Sequence, residues 1–159
     1  EELKNSRRKE MIGFRKIDPE VAMEKNTWFH LGRNSCEEIL YCLRRIADPC
    51  EEHVDNNFVP LSKEQVKEYI PLRDTVLFLL RRTEKILQTD SYDEVDDVRR
   101  EAEELKDCLE KAREAQMQRM QSSKENITVA YLYLNLLQET RELTSSLRHL
   151  LRASKGFRE

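Results

Sequence analysis

Val95, Val98, Ala102, Leu105, Leu109 and Ala112 follow one another at spacings of three and four, and charged residues fill most of the gaps between them. That period puts all six side chains on one face of an α-helix and is incompatible with the two-residue alternation of a strand. Two other segments repeat the pattern. Val129, Leu132, Leu136, Leu143, Leu147 and Leu150 trace a stripe over about 30 residues, a rod of roughly 45 Å at the standard helical rise. Val66, Tyr69, Ile70, Val76, Leu77, Leu80, Thr83 and Leu87 form another, with Pro71 early enough to bend the helix rather than end it.

Composition agrees with long solvated helices. Of 159 residues, 37% are charged and 7% aromatic, with only 3 glycines and 4 prolines, too few for sheets joined by tight turns. The expected fold is therefore all-α, an up-and-down bundle of about four long antiparallel helices over residues 18–159. A basic linker or short basic helix precedes it at 1–17. The length suits one domain.

Local signals predict where helices begin and end. Ser62 with Gln65, Ser91 with Glu94 and Ser122 with Glu125 have the spacing of reciprocal capping boxes. Asp18 before Pro19 marks a further start, and Gly156 a stop. A fourth box, Ser35 with Glu38, and Gly32 would break the first long helix, whereas Trp28, Gly32, Cys36 and Ile39 keep its stripe in phase; both readings stand at this point. Asn56, Asn57, Pro60 and Ser62 mark a turn, and connections at 57–62, 89–92 and 121–123 force neighbouring helices to run antiparallel.

Several functions lose support at this level. A net charge of -3 offers no general attraction for nucleic acid. The basic segment Lys4 to Lys16 is the one concentrated positive patch and suits an anionic membrane surface. The longest apolar run, Thr75 to Leu80, is far shorter than the roughly 20 residues of a membrane span. Four cysteines with no C-x-x-C pair read as reduced thiols of a cytoplasm. No histidine has a glutamate three residues before it, as a di-iron bundle needs, and the isolated glycines form no phosphate loop. The chain opens on EELKN without methionine, as a segment of a larger protein would.

The densest collection of chemistry-bearing residues is LYCLRRIADPCEEHVDNN, from Leu40 to Asn57. At 100° per residue, Cys36, Ile39, Leu43, Ile46, Cys50 and Val54 share one stripe with Cys42 and His53 on its edge, while Arg44, Asp48, Glu51, Glu52 and Asp55 gather opposite. Thiols and acids point apart, so they cannot converge on one zinc ion, and the cysteines act as small core hydrophobes. Pro49 frees the carbonyl of Arg45. Asp48, Glu52 and Asp55, at i, i+4 and i+7, are the candidate ligands for a divalent cation if a second helix contributes, and a merely solvated face otherwise. Glu103 with Asp107 is a weaker pair of the same kind. Trp28, Phe29 and His30, like Tyr131 and Tyr133, are expected to pack between helices.

The string LRRIADP at 43–49 resembles the signature LERIGDH of PhoU-type phosphate-uptake regulators. EKNTWFHLG, LYCLRRIADPCEEHVDNNFVPLS and LNLLQETRELTSSLRHLLRASKGF are similar to the PhoU-like cytoplasmic tail of bacterial sodium-dependent phosphate symporters, over most of positions 20–157. The resemblance implies a non-catalytic regulatory bundle on the cytoplasmic face of the inner membrane, with the transmembrane part of a transporter as its partner. Family members often bind metal through a glutamate and an aspartate four apart. Here Arg44 stands in the glutamate position before Asp48, and Pro49 replaces a histidine. In the last helix Arg141 and Ser145 occupy the equivalent places, so the family's acidic pair is broken twice. A free-standing helical adaptor and a metal-binding regulator are the competing readings.

Overall fold

The computed structural model describes residues 19–159, so the basic segment 1–17 and the Asp18 start signal lie outside the described residues. Helices α1 (Pro19–Asp55), α2 (Lys63–Thr89), α3 (Val95–Ser122) and α4 (Ile127–Arg158) run up and down, and the described residues contain no strand. The expected all-α bundle is the observed one. Helix α4 is its hub: α1 lies along α4, α3 and α2 pack on other sides of α4, and α2 also packs on α3.

The α3 stripe is as expected, since Val95, Val98, Ala102, Leu105, Leu109 and Ala112 are all buried. Because α4 touches every other helix, its buried surface is wider than one stripe and takes in Tyr133, Leu137, Thr140, Thr144, Leu151 and Ala153 as well.

The other two stripes are rotated from their expected positions. On α1 the buried seam runs through Ser35, Cys42 and His53, with Ile39 and Ile46 packed against the core, whereas Cys36 is exposed, Leu43 is 42% exposed and Val54 72%. On α2 it runs through Gln65, Val76, Leu79, Thr83 and Ile86, and Val66, Ile70, Leu77 and Leu87 face outward. The reason is common to both: each helix carries two apolar ridges, and only one of them finds a partner helix within the chain. Tyr131 is likewise exposed at the first turn of α4, while Tyr133 is fully buried.

Of the four expected capping boxes one forms. Ser62 Oγ accepts from Gln65 N at 3.1 Å and Gln65 Oε1 accepts from Ser62 N at 2.9 Å. Helix α3 starts after Glu94 without a side-chain cap, so Ser91 does not serve. Ser122 closes α3, and α4 is capped instead by Asn126, whose side chain accepts from Val129 N at 3.1 Å. Ser35 lies inside an unbroken α1, its hydroxyl turned back onto Leu31 O at 2.8 Å.

Gly32, where a break and a continuous stripe were both open, and Gly156, expected as a stop, both let helices touch. Gly32 lies against Ala153, 3.6 Å from where its Cβ would be, and α1 passes straight through it. Gly156 does not stop α4, which runs on to Arg158; a Cβ there would sit 2.5 Å from the Trp28 indole. Pro49 and Pro71 are both internal to helices. The Arg45 carbonyl freed by Pro49 accepts from Asn135 Nδ2 of α4 at 3.1 Å, which removes the chief cost of a mid-helix proline.

Candidate functional site

The candidate cation ligands lie on an open face of α1. Asp48, Glu52 and Asp55 are exposed on the outer surface of α1, and among the described residues no group of three His, Cys, Asp or Glu side chains is placed to hold a metal ion. Glu103 is drawn instead into ion pairs with Arg148 and with Lys106, the latter at 3.7 Å, and Asp107 stays exposed. At the two places of the family's acidic pair, Arg44 is exposed and Arg141 lies 3.8 Å from Glu110.

What the fold does assemble is a polar cluster at the end of the bundle where α2 begins, α3 ends and α4 begins. The amide of Gln116, fully buried, donates to Glu125 Oε2 at 2.7 Å, and its oxygen accepts from Gln65 Nε2 at 3.2 Å and from Arg119 Nη2 at 2.8 Å. Arg119 also donates to both oxygens of Glu68, at 3.2 and 3.4 Å. The Tyr133 hydroxyl donates to Glu68 Oε1 at 2.5 Å, and the Arg119 guanidinium lies 6.0 Å from the centre of the Tyr133 ring. Burial, with the Glu68 carboxylate second, raises the Tyr133 pKa. Tyr69 stands edge-on to Tyr133 at 6.3 Å and bonds Thr140 Oγ1 at 2.8 Å. Because Thr140 spends its own proton on Leu136 O, Tyr69 is the donor.

Each polar group of this cluster has a partner on another helix, so its effect is to lock the ends of α2, α3 and α4 in register. Gln65 and Glu125 were marked by the capping pattern, the latter for a box with Ser122 that does not form. Gln116 had a signal of its own: it extends the α3 stripe four residues past Ala112, a polar side chain at a core position. Glu68 and Arg119 meet across 51 residues of chain and carry no local signal.

The seam between α1 and α4 holds the remaining chemistry. Arg45 is gripped by Glu139 at 2.8 Å and Glu38 at 2.7 Å. Beside them the Cys42 thiol is pushed up to about 12, chiefly by burial, which makes it an inert core group. His53 is buried, its Nε2 2.7 Å from Val59 O and its ring edge-on to Phe58. Toward the other end of the seam an open cavity of about 420 Å³ is lined by Trp28, Leu31 and Ser35 from α1 and by Ser146, His149 and Arg152 from α4. Arg152 lies 5.9 Å from the centre of the Trp28 ring, and Phe29 packs on Phe157 at 6.5 Å, so the Trp28–His30 aromatic group is packing, as expected. No helix among the described residues is long and apolar enough to cross a membrane.

No family model matches this chain, and no curated protein or solved structure matches it either.

Proposed function

We propose that this chain is a non-catalytic regulatory bundle of the kind found on the cytoplasmic side of sodium-dependent phosphate transporters, acting on the transmembrane part by packing. The observation that carries the reading is the α1/α4 seam. The two long strings that resemble the transporter tails are α1 with its following turn, and α4, and they answer each other residue by residue: Asn135 covers the carbonyl that Pro49 exposes, Glu139 holds Arg45, Ala153 meets Gly32 and Gly156 admits Trp28. Sequence features that look idiosyncratic in either string are explained by the other.

The mechanism follows from the architecture. Helix α1 is held almost wholly by α4, while α2, α3 and α4 are bound together by the buried polar cluster. A partner that prefers one placement of α1 on α4 shifts the population of bundle states and, through linkage, of transport states. Residues Lys4 to Lys16 would lie against the bilayer surface in this arrangement.

The test is sodium-dependent phosphate uptake in cells carrying the natural gene, intact or with the segment encoding this chain removed. Transport that persists with an altered response to external phosphate is the expected result. An unchanged response with the segment gone, or a natural gene without any transporter segment, refutes the proposal.

A further inference from the structure

The outward apolar ridges of α1 and α2 border the same open face. The α1 ridge is Leu40, Leu43 and Val54, at 58%, 42% and 72% exposure; the α2 ridge is Ile70, Leu77 and Leu87, at 40%, 44% and 39%. On a helical wheel Leu43, Val54 and Leu87 lie beside the buried seams, and Leu40, Ile70 and Leu77 lie further round toward the outer surface. Yet α1 and α2 scarcely touch, each being packed on other helices. Six side chains about half exposed leave on the order of 400 Å² of apolar surface. That is the size of the apolar half of the roughly 800 Å² that each partner of a stable interface contributes.

The charges in front of these ridges identify the occupant. The turn between Asp55 and Lys63 brings the two helix ends to one level, so residues equally far from it stand at equal heights on antiparallel rods. At matched heights the outer faces read Asp55 against Lys63, Glu51 against Lys67, Arg44 against Asp74 and Glu37 against Arg81, opposite in sign at these four levels, and Arg33 against Lys85, alike in sign at the far end, where Arg33 is already held by Glu37. Glu37 and Asp74 have ion pairs with residues on their own helices, Arg33 and Arg73. Arg44, Glu51, Asp55, Lys63, Lys67 and Arg81 make no ion pair among the described residues. A surface whose two halves complement each other, and do not pair within the chain, is complementary to a copy of itself.

We propose that this face is the interface of a two-fold dimer whose axis runs parallel to the helices, placing α1 of one copy against α2 of its partner. Only that axis keeps the heights in register; an axis perpendicular to the helices would set α1 against α1 end for end. The result is an isologous contact in which the four ridges form the dry centre and each charge pairing occurs twice. It stands independently of the transporter reading.

The experiment is sedimentation equilibrium of the full chain with the variants Glu51→Lys, Lys67→Glu and Leu43→Asp. The wild type is expected to dimerise in the micromolar range. Either charge reversal should weaken association roughly tenfold, because each dimer contains two such contacts. An equimolar mixture of the two reversed chains should recover wild-type association as a heterodimer, since one contact is then swapped and the other native. Leu43→Asp should be monomeric with unchanged helical circular dichroism, Leu43 being partly in water already. A wild type monomeric at 100 micromolar overturns the proposal, as does a dimer indifferent to both reversals. So does a monomer in which Glu51→Lys and Lys67→Glu rescue each other's thermal stability only within the same chain, because the pairs would then close inside one molecule. A monomer that floats with anionic vesicles until Leu43→Asp is introduced assigns the face to a bilayer instead.

Discussion

Gly156→Ala should destabilise this protein, although at an ordinary helix interior the same change is favourable. Alanine is worth about 1 kcal/mol over glycine in a helix, because the unfolded chain loses freedom and nothing else changes. At position 156 the added methyl would stand 2.5 Å from Cε2, 2.6 Å from Cδ2 and 2.9 Å from Cζ2 of Trp28, three atoms across the body of the indole. The ring cannot yield by turning its far end. It must leave a site where Arg152 lies over it, at an overpacking cost of about 1–3 kcal/mol. The net expectation is a loss of about 1 kcal/mol. In a Trp28→Ala background the obstruction is gone and Gly156→Ala should stabilise by its ordinary ~1 kcal/mol, so the sign reverses and the coupling is about 2 kcal/mol. Urea unfolding of the four proteins of this cycle, followed by circular dichroism, measures it. If Gly156→Ala is stabilising by the same amount in both backgrounds, the indole does not occupy that space and the account of the α1/α4 seam is wrong.

The other interhelical contacts lead to further tests. Asn135→Leu should cost about 1 kcal/mol by leaving the Arg45 carbonyl without its donor, and Pro49→Ala, which restores an intrahelical donor, should remove most of that loss in the double variant; additive effects would refute the capping of the Pro49 kink. Tyr133→Phe should cost about 1–2 kcal/mol in urea unfolding, since the Glu68 carboxylate loses its phenol donor; a neutral effect would mean the hydroxyl is equally satisfied without Glu68. The folded pKa values of Tyr133 and Cys42 are raised, so their contribution is complete below the unfolded values near 10 and 9 and is lost as pH rises; stability should fall from about pH 9 upward, less steeply in Cys42→Ala. Thiol labelling of the native protein should reach exposed Cys108 and Cys36 and leave Cys42 untouched until unfolding, and early labelling of Cys42 would contradict its burial.

The residues that a single helical stripe misplaces form a pattern that bears on assembly. All six α3 positions were legible because that helix has one narrow apolar stripe and charge everywhere else, so a wheel has one solution. On α1 the apolar residues fall on two ridges, and a single best stripe through them takes Leu43 and Val54 for core while leaving Cys42 and His53 at its edge. On α2 the same averaging promotes Val66, Ile70 and Leu77 and overlooks Leu79 and Ile86. The polar cluster was illegible for a different reason: Glu68, Arg119 and Tyr133 are far apart in sequence and each resembles an ordinary charged or aromatic helix residue until the helices meet. An amphipathic pattern records every surface a helix must keep from water, whichever molecule covers it. The misplaced residues of α1 and α2 are thus a second signal overlaid on the first. Beyond the seam that the bundle itself buries, Leu43, Val54, Ile70 and Leu77 remain on the outer surface of α1 and α2, beside charges that are opposite in sign at four of five matched heights.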